Sequence, residues 1–250
     1  MFFFLKRKKL VVDAYTCSPQ AYRYFPIESA NNFIPEWFKN TPKEVDERPI
    51  SKNGPKVKVN NIRRCAGIID YYSKSNFIIP LWSDMRLELS PENYKFVFAD
   101  EKSTLVHHDK EMRGSLLLPD YEHFKILSPW RLQEKTGIQW HVSNPYYNNI
   151  NSNIIIPPGI VNYKYQMATE INFFVKHPSN VEIIDLEAGT PLSHLVPITE
   201  KEIDLRVHLL SEAEWTHRSN WIFSFNNTYQ KAKKIQQKHG KSHKCPFGFK

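Results

Sequence analysis

Residues 77–100 read FIIPLWSDMRLELSPENYKFVFAD. Phe77–Pro80 is a short apolar run. Met85, Leu87 and Leu89 then alternate with Arg86 and Glu88, and after Ser90–Asn93, a turn sequence, Tyr94, Phe96 and Phe98 again fall on every second position. A period of two places alternate side chains on opposite faces of a strand, and a Ser-Pro-Glu-Asn break between two such runs predicts an antiparallel hairpin with one apolar face.

The same pattern extends in both directions. CAGIIDYY at 65–72, separated from the hairpin by SKSN, reads as a preceding apolar strand. HFKILSPWRLQEKTGIQWHVS, IIIPPGIVNYKYQ, EINFFVKH, VEIIDLEAG and TPLSHLVPI follow at the spacing of a β-sandwich or barrel. The predicted fold is therefore mainly β, an antiparallel sandwich or jelly-roll-like domain over residues 62–210. Residues 1–61 form an N-terminal strand (KLVVDAYT, 9–16), short helices and a Pro-rich linker packed on that domain. One helix starts at Ser18-Pro19, where a hydroxyl cap precedes a proline in the first turn, and another at Pro35, burying Trp37 and Phe38. Prolines and charges make 39–60 a loop. Residues 211–250 form a C-terminal helix and basic tail, the helical pattern running from Glu212 to Lys238 with an interruption around Trp221–Asn227.

Of 250 residues, 41% are hydrophobic and 14% aromatic, enough for a sizeable core. Lys and Arg number 34 against 26 Asp and Glu, a net charge of +8 whose excess lies at Lys6–Lys9 and from Lys231 to Lys250. Only these basic termini could meet nucleic acid, and a solvated helix end is the favoured reading of the basic tail. The three cysteines, Cys17, Cys65 and Cys245, have no CxxC spacing, which argues against a disulfide framework or cysteine-bound zinc. Cys65 follows two arginines but precedes the apolar AGII run, so a buried structural thiol is expected. In MFFFLKRKKLVV the charges follow the apolar run, the reverse of a secretory signal, and no membrane partner is expected.

TCSPQAYRYFPIESA with PEWFKN, CAGIIDYY with IPLWSDM, KILSPW, IPPGIVNYKYQMATEINFF, EAGTPLSHLVPITEKE and the terminal CPF occur in an order that resembles an uncharacterised protein family of tailed bacteriophages, especially marine ones. The resemblance spans nearly the whole chain. It implies a phage-encoded protein located in the host cytoplasm during infection or associated with the virion, and it assigns no catalytic residue. A local resemblance to dUTPases runs through residues 159–198. There Asn162 stands where the catalytic aspartate belongs and His194 near the glutamine, and the missing carboxylate removes the base that would orient water. That resemblance implies at most a degenerate nucleotide-binding protein of shared β architecture.

Two histidines and a carboxylate on one face would suit non-haem Fe(II). His107 and Asp109 form an HxD pair, and His194, in a strand bounded by Pro191 and Pro197, supplies a third ligand. Arg206, downstream of His194, resembles the arginine that binds 2-oxoglutarate in Fe(II)/2-oxoglutarate oxygenases. The competing structural reading treats His107–Glu111 as a polar loop, and the glycine and prolines around His194 as the ends of an edge strand with Leu192, His194 and Val196 on one face. Ser193 cannot pair with His194 by adjacency, because neighbours on a strand point oppositely. The tryptophans and tyrosines beside the strands are read as core. Phe247 and Phe249, in CPFGFK, are expected to anchor the terminus on the protein's own sheet or a second copy. The reading that follows is a non-catalytic phage structural, accessory or assembly protein without cofactor, partnered by a phage structural protein or by itself. The alternative is an oxygenase holding Fe(II) and 2-oxoglutarate through His107, Asp109, His194 and Arg206.

Overall fold

The computed structural model describes residues 9–47, 57–100, 103–108, 120–148 and 153–224, with Lys234. Strand β1 (Leu10–Thr16) precedes helix α1 (Pro19–Tyr24), the short strand β2 (Glu28–Ser29), a 3-10 turn at Ala30–Phe33, helix α2 (Glu36–Asn40), and strands β3 (Glu44–Glu47) and β4 (Val57–Asn60). A second 3-10 turn at Ile62–Arg64 leads into α3 (Ala66–Tyr71). Strands β5 (Phe77–Pro80), β6 (Met85–Leu89), β7 (Tyr94–Phe98), β8 (Leu105–His108), β9 (Tyr121–Ile126), β10 (Arg131–Glu134) and β11 (Trp140–Ser143) follow. After a turn at Tyr146–Asn148 come β12 (Ile154–Ile155), β13 (Gly159–Val161), β14 (Ile171–Lys176), β15 (Glu182–Leu186), β16 (Pro191–Pro197), β17 (Ile203–Leu209) and helix α4 (Glu212–Ser224).

The chain is mainly β. Its strands form sheets in the orders β10-β1-β17, β13-β11-β16-β5-β2, β12-β14-β9-β8 and β15-β6-β7, plus the β3-β4 pair. Among the described residues, all strand pairings are antiparallel except β1 with β17. The hairpin read from residues 77–100 is β6-β7, in the register Met85↔Phe98 to Leu89↔Tyr94. Met85, Leu87 and Leu89 are buried while Arg86 and Glu88 are exposed, as the alternation requires.

One core joins these four larger sheets. It contains Val12 and Ala14 of β1, Leu87 of β6, Phe124 of β9, Trp140 of β11, Phe173 of β14 and Leu195 of β16. Burying a large apolar side chain contributes about 1.5–3 kcal/mol, so the fully buried Trp82, Trp130, Trp140, Phe124 and Phe173 are its main anchors. The sheet containing β16 is covered on both faces. Its second face carries Ile78, which packs with Ala30, Phe38, Ile68 and Tyr72 in a smaller core beneath the N-terminal helices.

Several local expectations are revised. CAGIIDYY forms helix α3 rather than a strand, because Ile68 and Tyr72, four residues apart, share its buried face while Ile69 is exposed. The 39–60 stretch contains the β3-β4 pairing as well as loop. Pro35 does open α2, but only Phe38 is buried; Trp37 remains 44% exposed. Ser18 caps α1 through the Ala21 amide, with proline in the first turn as read. Helix α4 starts with a reciprocal Ser211–Glu214 capping box and runs through Trp221 to Ser224, where an interruption was expected. Cys65 is exposed rather than buried, because it lies at the start of α3 on the outer layer. Strand β16 is interior, flanked by β11 and β5, so its prolines terminate a central strand rather than an edge. Among the described residues no helix is long and apolar enough to cross a membrane.

Candidate functional site

The two histidines singled out by the sequence stand in different sheets and in different chemical settings. His194 lies in the middle of β16, opposite Ser143 of β11 and Ile78 of β5. A register shift between Pro191 and Ser193 breaks the simple alternation. Leu192 and Leu195 therefore belong to the main core, whereas His194 meets Tyr71 at the base of the helical layer. This replaces the expected common face for Leu192, His194 and Val196; a bulge reorients the residues beside it.

His194 is fully buried, and neither ring nitrogen has a hydrogen-bond partner among the described residues. Burial pushes its pKa down to about 4, the nearby Tyr71 backbone opposes this in part, and His141 adds to it. Its ring lies 3.9 Å from that of Tyr71, which in turn meets Tyr147 edge-on at 5.1 Å. Burial pushes the Tyr71 phenol up to about 12 and that of Tyr72 upward as well. At neutral pH these groups are all uncharged.

The tyrosine hydroxyls are used for architecture. Tyr71 Oη donates to the Asn144 carbonyl at 2.9 Å and accepts from the Tyr146 amide at 3.0 Å. Tyr72 Oη donates to Asn148 Oδ1 at 2.7 Å, and Asn148 Nδ2 donates to the Phe33 carbonyl at 2.7 Å. This network fastens the 144–148 segment to α3 and to the 3-10 turn at Ala30–Phe33. Ser193, the neighbour of His194, is equally buried, and its hydroxyl has no partner among the described residues.

The second histidine setting lies on the inward face at one end of the β12-β14-β9-β8 sheet. His107 pairs with the buried Phe124 across β8-β9, and Glu122, two residues from Phe124, shares that face. Val175 pairs with Glu122 across β14-β9, which brings His177, two residues further, to the same corner. His107 Nε2 and Glu122 Oε2 are 2.8 Å apart; His177 Nδ1 and Glu122 Oε1 are 3.6 Å apart. The opposite nitrogen of His177, Nε2, donates to the Pro91 carbonyl at 3.1 Å. Tyr94, from the facing β6-β7 hairpin, lies against the His107 ring at 4.6 Å.

Asp109, the middle member of the sequence-derived triad, lies outside the described residues, as do Phe247 and Phe249. Arg206 is on β17, in a third sheet, where its Nε and Nη2 donate to Asp204 Oδ2 at 3.0 and 2.8 Å. Asn162 is buried and organises a turn: Nδ2 donates to the Gly137 carbonyl at 2.8 Å, and Oδ1 accepts from the Lys164 amide at 3.0 Å. Among the described residues, no group of three or more His, Cys, Asp or Glu side chains is placed so that it could hold a metal ion.

Tyr71, Glu122 and His177 were not singled out for these settings from the sequence. His177 closes EINFFVKH, so its polar character at the end of an apolar strand was the available signal; the register that brings Glu122 beside it was not visible.

No protein-family model matches the chain, and a search of curated proteins found no match.

Proposed function

We propose that this chain is a phage-encoded, non-catalytic structural, accessory or assembly protein that works through protein–protein contacts, in the host cytoplasm during infection or within the virion. The resemblance of its ordered sequence phrases to a tailed-bacteriophage family supports the lineage. The observation that carries the contact reading is the outer side of the helical layer. There Trp37 is 44% exposed, Ile69 51% and Tyr146 76%, while the residues beneath them are buried. The indole Nε1 of Trp37 donates to the Tyr147 carbonyl at 3.0 Å, which holds the ring at the surface beside Tyr146. Exposed aromatic and aliphatic side chains fixed on a rigid layer are the anchors that protein interfaces favour. The partner class is a phage structural protein or a second copy of this chain.

The reading is tested with a Trp37→Ser/Ile69→Ser/Tyr146→Ser variant, all three positions being substantially exposed. The variant keeps its melting temperature but loses self-association in analytical ultracentrifugation or retention on purified phage particles. Wild-type chain that stays monomeric, ignores particles and turns over a small-molecule substrate contradicts the proposal.

A further inference from the structure

We infer that His194 is an acid-sensitive latch beneath the outer contact surface: protonation of its ring frees α3 and residues 144–148 from β16, and with them Trp37, Ile69 and Tyr146. That this opening releases a partner rests on the contact role proposed for that surface; the opening itself does not.

The latch is built from a chain of contacts. Each of the three exposed residues belongs to, or is tied to, an element that Tyr71 holds down. Ile69 is on α3, two residues before Tyr71. The Tyr146 amide donates to Tyr71 Oη at 3.0 Å, and the same hydroxyl donates to the Asn144 carbonyl at 2.9 Å. Trp37 is fastened to this segment through Nε1, which donates to the Tyr147 carbonyl at 3.0 Å. Tyr71 in turn rests on His194, the ring centres 3.9 Å apart, and His194 is set in a central strand between β11 and β5.

A neutral imidazole is tolerated at this place and an imidazolium is not. The neutral ring carries one N–H and the charged ring two, each of which needs an acceptor when buried. His194 is fully buried and has no well-formed hydrogen bond among the described residues, only the weak pull of the Tyr71 backbone. The Tyr71 carbonyl is already engaged, accepting from Asn76 Nδ2 at 3.0 Å, so two N–H donors would share one occupied acceptor. The titratable groups packed around the ring are Tyr71 of α3, with Tyr147 behind it, and His141 of β11; β5 presents the apolar Ile78. Both phenols stay neutral in acid and His141 adds a like charge, so none of these groups offsets the new charge.

The charge is relieved when water reaches it, and the helical side is where water can enter. On the other side of β16, Leu192 and Leu195 are locked into the main core. The helical layer is held by the smaller cluster of Ala30, Phe38, Ile68, Tyr72 and Ile78. Local opening follows the unit with the least buried apolar contact. Lifting Tyr71 away hydrates the ring and unfastens the 144–148 segment in one step.

The test is hydrogen exchange of the full-length protein, read as protection factors. With a ring pKa of about 4 when closed and the ordinary 6.5 when open, opening becomes roughly 30-fold more favourable between about pH 7.5 and about pH 5. In wild type, protection of the Tyr72, Tyr146 and Asn148 amides falls by about that factor over this range, while the amides of β6 and β7 keep theirs. His194→Leu abolishes the fall, His194→Gln serves if that variant fails to fold, and His141→Asn leaves most of it. The inference is overturned by protection that does not change in acid, by an equal loss across the whole chain, or by a fall that persists without His194. Retention on purified phage particles and self-association are followed over the same range. Wild type lets go in acid and His194→Leu stays bound. Binding that survives the opening contradicts the release, whereas a chain that binds at neither pH contradicts the contact role and leaves the latch to the exchange result.

Discussion

The rings of His194 and Tyr71 lie 3.9 Å apart, one in the middle of a central strand and the other at the end of the helix that covers it. The contact joins the two cores: β16 contributes Leu192 and Leu195 to the larger one and His194 to the border of the smaller one. A buried imidazole whose nitrogens have no well-formed hydrogen bond among the described residues, beyond the weak pull of the nearby Tyr71 backbone, is an energetic cost carried at this junction.

That cost predicts the sign of a substitution. His194→Leu removes two unsatisfied polar atoms while keeping similar volume, so stability changes by no more than about 1 kcal/mol, on the stabilising side. Urea unfolding monitored by tryptophan fluorescence measures it. A loss above about 2 kcal/mol would mean that the ring makes a polar contact essential to the fold.

The same residue predicts a pH response. With its pKa moved from 6.5 in the unfolded chain to about 4 in the folded protein, His194 stays neutral when folded while the unfolded state takes up a proton. Stability is therefore unaffected by this group above about pH 6.5, falls as pH drops from there toward 4, and loses nothing further below. Integrated, the loss is about 3 kcal/mol. The difference between wild type and His194→Leu in unfolding free energy should grow over that window and be flat between pH 7 and 8.

Tyr72 predicts the strength of the clamp on the 144–148 segment. Tyr72→Phe leaves Asn148 Oδ1 without the donor now 2.7 Å away, costing about 1–2 kcal/mol. Hydrogen exchange should quicken at the Tyr146 and Asn148 amides, with little change in β6 and β7. Uniform quickening across the chain would show instead that the helical layer and the sheets unfold as one unit.

The connection between β10 and β11 is sensitive to a methyl group. Gly137 has φ +84°, and a Cβ there would approach Lys164 Cδ at 3.3 Å. Its amide also donates to Glu134 Oε1 at 2.6 Å, while Glu134 Oε2 accepts from the Thr136 amide at 2.7 Å. Gly137→Ala costs about 1–2 kcal/mol from backbone strain. Glu134→Ala exposes these donors in a buried setting and costs about 2–3 kcal/mol. Chemical denaturation of the two single variants checks both values.

The sheets were legible where one face meets solvent. Met85–Leu89 and Tyr94–Phe98 alternate because the outward face is wet, and the sequence carries that contrast directly. Legibility failed where both faces are covered. His194 and Ile78 look like ordinary strand residues, and nothing in the sequence marks the second, smaller core that makes β16 interior. Ile68 and Tyr72 were misread because six helical residues are too few to distinguish a period of 3.6 from an apolar strand. The His107 corner depends on strand register: Phe124 and Val175 determine that Glu122 and His177 face it, and register is a property of pairing rather than of local sequence.

The proposed role in phage assembly through protein contacts is tested by quantitative mass spectrometry of purified intact virions and of assembly intermediates. With that role, this chain is present at a fixed stoichiometry to a structural component in one or both. Its absence from every particle species, together with abundant free protein that turns over substrate in infected cells, would contradict it.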